Sequence, residues 1–323
     1  MKRCVYSVID EGERIRQLLE EQGYEFLQGD GKTIEEEKLA RCDALIPGKC
    51  YVTEEVLQKA PRLQIVSKFG VGVDKIDIPA CTRHNVWVSN TALTNYIAVA
   101  EHTIALMLAA AKKLYPVSCA LHKQQPDWDR AKSYSSIELN GKTLSVIGLG
   151  NIGRRVASLA HAFDMKIVGY DPYADSRKAP AYITLAATLE DALAEADFVT
   201  LHVAGGESVR NMIDASKLAM MKREAILINT TRGFVVNEAD LIDALSNHVI
   251  AGAALDVFET EPVREANPLL LMDNVIATPH NAANTPDARL RSQEQCVRNI
   301  LCAMNGERPP FALNNPERGQ KDA

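Results

Sequence analysis

A chain of 323 residues is long for one compact core, so two domains are the natural expectation. Its 46% apolar and 24% charged content is ordinary for a globular protein, while a formal net charge of −6 argues against a nucleic-acid binder, which needs clustered Lys and Arg. Seven cysteines, an odd number without a CxxC pair, argue against a metal site or disulfide framework and fit reduced thiols in a cytoplasm.

No apolar signal-peptide core follows Met1, and the most apolar stretch, 97–111, is interrupted by Glu101 and His102 and is too short to span a bilayer. No membrane partner is expected. Short β-rich runs alternate with helical patterns, which predicts an α/β protein with two doubly wound parallel sheets. In the first hundred residues the strands are expected at 5–9, 44–46, 64–67 and 86–88. Helices are expected at 13–22 and 34–40, the second opened by a capping box, Thr33-x-x-Glu36. A long helix at 94–113 follows, then a polar, turn-rich connection at 122–140.

The second array has strand candidates at 143–147, 166–170, 198–202, 225–229, 250–255 and 274–278, with Thr188 and Asn237 as helix N-caps. A last helix at 287–305 is expected to return to the first domain. The expected division is therefore 1–98 plus 286–323 as a substrate domain and 99–285 as a dinucleotide domain. From Asn314 onward the polar tail reads as frayed.

Gly148, Gly150 and Gly153 form a GxGxxG between an apolar strand and a helical pattern, the context that dinucleotide binding requires. Gly148 permits the tight turn, Gly150 lets the pyrophosphate approach, and Gly153 lets the helix pack closely. The amides of Asn151 and Ile152 open the helix, where an anion is favoured. Asp171, at the end of the next strand, suits the ribose hydroxyls and repels a 2′-phosphate, so NAD is expected over NADP. The competing reading is a plain strand-to-helix turn with Asp171 as an N-cap; Arg177 and Lys178 nearby would soften the preference for NAD.

Three further residues stand at strand ends of the second array: Arg232, Glu261 and His280. Hydride transfer to a 2-oxo acid needs a cation for the carboxylate, a proton donor for the carbonyl oxygen and a group that keeps that donor charged. These residue types suit the three roles, although each alone also fits a loop or turn.

Gly148 to Gly153, Asn229-Thr230-Thr231-Arg232-Gly233, Leu255-Asp256-Val257-Phe258-Glu259-Thr260-Glu261-Pro262 and Thr278-Pro279-His280 together resemble the D-isomer-specific 2-hydroxyacid dehydrogenases, in particular their phosphoglycerate dehydrogenase-like branch. The resemblance covers nearly the whole chain. It implies a Rossmann NAD-binding domain and a flavodoxin-like substrate domain, with Arg232 orienting substrate, His280 as acid/base and Glu261 paired with it. It places Val203, Thr230 and Asp256 on the cofactor, Asp256 at the nicotinamide carboxamide. In the first domain, Lys68 to Asp74 resembles the family's substrate loop, where the amides of Val71 and Gly72 receive the carboxylate.

Lys68 reads either as a phosphate ligand, which points to 3-phosphoglycerate and phosphohydroxypyruvate, or as a solvated strand-end charge, which leaves glyoxylate, hydroxypyruvate or another 2-oxo acid. An appended regulatory domain is not expected at this length. Three departures from the family pattern stand out: Ala204-Gly205-Gly206 after the Leu-His strand end, Asn281 after His280, and Asn90 to Asn95. Asn281 either contacts substrate or caps its turn. A different class with the same motifs is an NAD-gated corepressor-like binding protein. The apolar helix at 94–113 suggests a homodimer interface or, equally, an internal core helix.

Overall fold

The computed structural model describes residues 2–9, 12–122, 124–175, 177 and 179–317. Within these residues the chain forms strands β1–β12 and helices α1–α12, numbered in chain order. They fall into two compact units, Met1–Asn95 with Thr285–Ala323 and Tyr96–Asn284.

The first unit holds five parallel strands, β1 (Cys4–Ser7), β2 (Glu25–Gln28), β3 (Ala44–Ile46), β4 (Ile65–Ser67) and β5 (Trp87–Ser89), ordered β2-β1-β3-β4-β5. Every residue of β1, β3, β4 and β5 is buried, as expected of a parallel sheet covered on both faces. Val5, Ala44, Ile65 and Trp87 face one way, toward Ile15 and Leu19 of α1 (Glu13–Glu21) and Cys296 and Ile300 of α12 (Pro286–Met304). Tyr6, Leu45, Val66 and Val88 face the other, toward Leu39 of α2 (Glu36–Arg41), Leu57 of α3 (Glu54–Gln58) and Cys81 of α4 (Ile78–Arg83). The period of two along each strand thus feeds two separate cores.

Local chemistry departs from expectation in three places. Thr33 does not cap α2, which begins at Glu36 after Glu35. Asp30 instead accepts the amides of Lys32 and Thr33 (2.7 and 2.8 Å) and the Thr33 hydroxyl (3.0 Å), a turn that competes with helix initiation. β2 has no counterpart among the expected strands, because Glu25 and Gln28 break its apolar run and all four residues are only half-buried at the sheet edge. Asn314, the first residue of the tail expected to fray, is anchored: its Oδ1 accepts the Val88 amide and its Nδ2 donates to the Val86 carbonyl, while residues 318–323 of that tail lie outside the described residues.

The second unit is a seven-stranded parallel sheet: β6 (Thr143–Ile147), β7 (Lys166–Tyr170), β8 (Ile183–Leu185), β9 (Phe198–Leu201), β10 (Ile226–Asn229), β11 (Gly252–Leu255) and β12 (Val275–Ala277). The order β12-β11-β10-β9-β6-β7-β8 puts the first strand between β7 and β9, so the chain reverses direction across the sheet there. In such sheets ligands bind at the carboxyl ends of strands beside the reversal.

Helix α5 (Tyr96–Ala111) is apolar on several sides because the unit encloses it. Ala100, Ile104, Met107 and Ala111 are buried with Val156 and Ala160 of α8 (Asn151–His161) and with Leu144, Ile226 and Ala254 of the sheet. The polar stretch expected as a connection contains a short helix, α7 (Trp128–Ser133), capped by Asp127. Thr188 caps α9 (Leu189–Ala194) and Asn237 caps α11 (Glu238–Ser246), both through side-chain acceptors. Among the described residues no single helix is long and apolar enough to cross a membrane.

Candidate active site

The turn between β6 and α8 is built by absent side chains. Gly148 has φ 95°, and a Cβ there would lie 2.6 Å from the His202 carbonyl oxygen and 2.9 Å from the Val203 amide nitrogen. A Cβ on Gly153 would lie 2.0 Å from the Gly148 oxygen, so α8 rests directly on the turn. Gly150 differs: a Cβ there would meet nothing within 4 Å, and its backbone faces open space. It is the N-cap of α8 and supplies no capping side chain, whereas Asp127, Thr188, Asp214, Asn237 and Thr285 all cap their helices. Asn151 and Ile152 begin α8, so their amides lie at an uncapped N-terminus, which favours a phosphate.

Asp171 follows β7 and reaches back to this turn. Its Oδ2 accepts the Leu149 amide and its Oδ1 the Tyr173 amide, both at 2.9 Å. A carboxylate has about four acceptor sites, so capacity remains for ribose hydroxyls. Arg177 is held by Asp175 through two contacts of 2.9 and 3.0 Å, which hold the Asp175 carboxyl below its usual range and offset the Arg177 charge. Lys178 lies outside the described residues.

At the end of β9, desolvation pushes the His202 imidazole down to about 3, so it is neutral and shares a proton with Thr200 Oγ1 at 2.9 Å. Val203 follows it, half-buried. Thr230, after β10, meets Thr103 of α5 hydroxyl to hydroxyl at 3.0 Å. The Thr231 hydroxyl is buried and has no hydrogen-bond partner among the described residues. An open glycine backbone, an uncapped helix and a buried unmatched hydroxyl together fit a bound dinucleotide.

The loops carrying Arg232, Glu261 and His280 brace one another. Asn229 is buried; its side chain donates to the Arg232 carbonyl (2.9 Å) and accepts the Thr231 amide (3.0 Å), which fixes the backbone of the Arg232 loop. Gly233 then packs without a side chain against the Phe258 and Glu259 backbone. Glu261 Oε1 accepts the Phe258 amide (3.2 Å), and Oε2 lies 2.7 Å from His280 Nδ1. A carboxylate can only accept, so Nδ1 carries the proton of that bond and Nε2 is left to face a ligand. The imidazole is half exposed. His280 has φ 52°, an uncommon left-handed conformation for a residue with a side chain.

Asp256 explains that conformation. It is fully buried, its carbonyl accepts the His280 amide (2.7 Å), and its carboxylate accepts Thr278 Oγ1 (2.6 Å) and the amides of Asn281 (2.8 Å) and Ala282 (2.9 Å). Burial alone would raise the Asp256 carboxyl, yet bonds from His102, Thr278, Asn281 and Ala282 hold it below its usual value. The Asp256 side chain faces the turn of His280 rather than open space. Asn281 accepts from Asn284 Nδ2 at 2.8 Å, tying the end of that turn. Asn229, Gly233 and His102 were not singled out by sequence reasoning for these tasks; the Arg-Gly pair was the available signal for Gly233.

In the first unit Lys68 follows β4. Its Nζ donates to the Gly48 carbonyl and its amide to the Ser89 carbonyl (2.8 Å). Asn90 Nδ2 donates to the Val71 carbonyl (2.9 Å), and Thr91 Oγ1 accepts the Gly70 amide (2.9 Å), so the strand-end segment 90–91 clamps the 70–71 loop. The amides of Val71 and Gly72 have no acceptor among the described residues.

A family model described as D-isomer specific 2-hydroxyacid dehydrogenase, NAD binding domain, matches residues 104–282, more than half of the chain. The chain belongs to this family. Residues 104–282 are its NAD-binding domain, and the two parallel-sheet units are the α/β domains expected from sequence. The chain is 40% identical over 308 residues, 94% of its length, to a D-3-phosphoglycerate dehydrogenase of Methanocaldococcus jannaschii, 58% of which is covered. It is 38% identical over 269 residues to a glyoxylate reductase of Aeropyrum pernix, covering 80% of this chain and 79% of that one. The fold is similar to a D-lactate dehydrogenase from Aquifex aeolicus solved with NAD and lactic acid, with a TM-score of 0.83, 28% identity, and 97% and 100% of the two chains covered. This chain spans about half the length of the phosphoglycerate dehydrogenases it matches.

Proposed function

We propose that the chain is an NAD-dependent 2-hydroxyacid dehydrogenase that interconverts a small 2-oxo acid and its 2-hydroxy acid. The observation that carries this reading is the His280–Glu261 pair, braced through Gly233 to the loop of Arg232. Bound NADH supplies the hydride that the carbonyl carbon accepts. Arg232 holds the substrate carboxylate by its planar fork and draws charge toward it. His280 Nε2 gives its proton to the carbonyl oxygen, completing the hydroxyl, while Glu261 holds the ring by Nδ1 and balances its charge. In the oxidative direction His280 takes the same proton back.

The amides of Val71 and Gly72 are assigned to substrate, and Gly148, Gly150, Asn151, Ile152, Gly153 and Asp171 to the dinucleotide, with Val203 and Thr230 at its nicotinamide end. Asp256 serves the cofactor side through the turn it shapes. Phosphohydroxypyruvate is the first substrate assigned, with Lys68 as the phosphate ligand. A small unphosphorylated acid such as glyoxylate is the second, favoured by the Aeropyrum relative, whose length is well covered, and by the bond that occupies Lys68 Nζ at Gly48. A homodimer belongs to the same reading. Because α5 is largely enclosed, its support moves to the exposed Leu114, Tyr115 and Trp128 of α6 (Leu114–Leu121) and α7.

Turnover of NADH against a panel of 2-oxo acids tests the proposal and ranks the substrates. Absence of turnover on every member, with NADH bound, would favour an NAD-gated binding protein instead. Arg232→Ala is expected to lose most of kcat/KM, with only partial rescue by lysine, which lacks the bidentate fork.

A further inference from the structure

His102 lies on α5, 178 positions before His280, and nothing in the proposed chemistry uses it. Its Nε2 is 3.2 Å from Thr278 Oγ1 and 3.5 Å from Asp256 Oδ1. Thr278 has one hydroxyl proton, and its 2.6 Å bond to the Asp256 carboxylate takes it. The lone pair of the same oxygen therefore faces His102, and Nε2 must carry a proton to give. Asp256 is completely buried and already receives Thr278 and two backbone amides, all from the turn of His280. Among the described residues, His102 is the one donor to this cluster that comes from a helix rather than from the turn itself.

We propose that His102 is a positioning residue for His280, acting through the Thr278–Asp256 pair. The turn from Thr278 to Ala282 is a short segment wrapped round one carboxylate, with His280 in a left-handed conformation that persists only where neighbours over-determine it. The Nε2–H of His102 orients the Thr278 hydroxyl, and that hydroxyl fixes Asp256 Oδ1 opposite the Asn281 amide. With the donor removed, Thr278 is free to rotate, the carboxylate loses a fixed partner, and the turn that aims His280 loosens. His102 touches neither the reacting atoms nor His280, so its effect belongs to the aim of the imidazole. The proposal rests on the assignment of His280 as acid/base, and one arm of its test does not.

The experiment compares His102→Ala, His102→Gln and Thr278→Val in the full chain. Glutamine can present an N–H donor near the position of Nε2; alanine cannot, and valine removes the hydroxyl while keeping the shape of threonine. The first readout is hydrogen exchange in the peptide spanning 278–284, which needs no turnover. Exchange there should quicken in His102→Ala and Thr278→Val and be restored in His102→Gln, while the peptide of β6 and α8 stays unchanged. The second readout is kinetics with NADH and glyoxylate. In His102→Ala, kcat should fall about tenfold to a hundredfold, the range for a catalytic group misplaced by a fraction of an ångström to an ångström, with little change in KM for NADH. Combined with Thr278→Val it should cost no more than Thr278→Val alone.

Normal exchange in His102→Ala overturns the proposal. So does a kcat loss in His102→Ala that glutamine does not restore, or a full additive loss in the double variant. Quickened exchange in a protein that turns over no 2-oxo acid leaves the positioning intact and refutes the dehydrogenase reading alone.

Discussion

Gly233→Ala is a sharp test of how the site is held together. A Cβ at this position would lie 1.9 Å from the Phe258 carbonyl carbon, 2.0 Å from its oxygen and 2.4 Å from the Glu259 nitrogen. All three are backbone atoms, so no side-chain rotation relieves the clash. Ordinary contact begins at 3.4 Å; one of the two loops must therefore retreat by about 1.5 Å. One loop carries Arg232, and the other carries Glu261, which holds His280 at 2.7 Å.

Misplacement of a reacting group by about 1 Å costs on the order of a hundredfold, so kcat/KM in Gly233→Ala should fall at least that far. Overpacking of this kind costs about 1–3 kcal/mol, less than the usual total stability of about 5–15 kcal/mol, so the chain should still fold. Steady-state NADH oxidation with glyoxylate and with phosphohydroxypyruvate measures the rate, and thermal melting with NADH fluorescence titration establishes that a folded, cofactor-competent protein is being assayed. An alanine variant that melts near the parent temperature and keeps undiminished activity would refute the idea that this backbone contact sets the spacing of Arg232 and Glu261.

Gly150→Ala should do the opposite: with open space at its Cβ and an ordinary negative φ of −69°, it should leave melting of the ligand-free chain unchanged and weaken NADH binding in a titration. Lys68→Ala should raise KM for phosphohydroxypyruvate about tenfold to a hundredfold, the value of a lost charge-assisted contact of about 1.5–3 kcal/mol, and leave glyoxylate nearly unaffected. Equal effects on both acids would show that the residue serves only to hold the Gly48 loop. Asp256→Asn should destabilise the protein at neutral pH in urea melts. The Asp256 carboxyl is held below its ordinary 3.8, so its ionised form stabilises the fold above about pH 4 and that advantage disappears as pH falls through the folded value. The gap between parent and variant should accordingly narrow in acid, and a constant gap would contradict the assignment.

The glycine turn and the His280–Glu261 contact are the parts of the proposed site that the sequence marks, through glycine spacing and polar residues in the loops after strands. The glycines at 148 and 153 announce a turn that no side chain fits, Gly150 leaves its backbone open, and Arg232, Glu261 and His280 stand in the loops that follow the strands β10, β11 and β12. The bracing is not legible. Nothing in the local pattern says that Gly233 faces the Phe258 backbone or that His102 reaches Thr278, since those contacts depend on how distant segments stack. The fold divides in the same way. Strands buried on both faces, such as β1 and β6, appear as apolar runs, whereas the edge strands β2 and β8 bury too little to leave a signature. Thr33 misled for a local reason: Asp30 captured its hydroxyl and amide first.

The anchored residues near 311–314 have a consequence for self-association. β5 is the last strand of its sheet, and its outer rim would present Val86 oxygen, Val88 nitrogen and oxygen and the Asn90 amide to any passing strand. All four are engaged: Asn314 takes the Val86 carbonyl and the Val88 amide, Leu313 bonds the Val88 carbonyl at 2.8 Å, and the Asn90 amide meets the Phe311 carbonyl. The chain thus supplies its own cover for an edge made of Trp87, Val88 and Ser89. A protein cut before Phe311 would keep the sheet but bare this template, and its expected failure is pairing of edges between molecules, with turbidity that grows with protein concentration while the strands themselves remain folded.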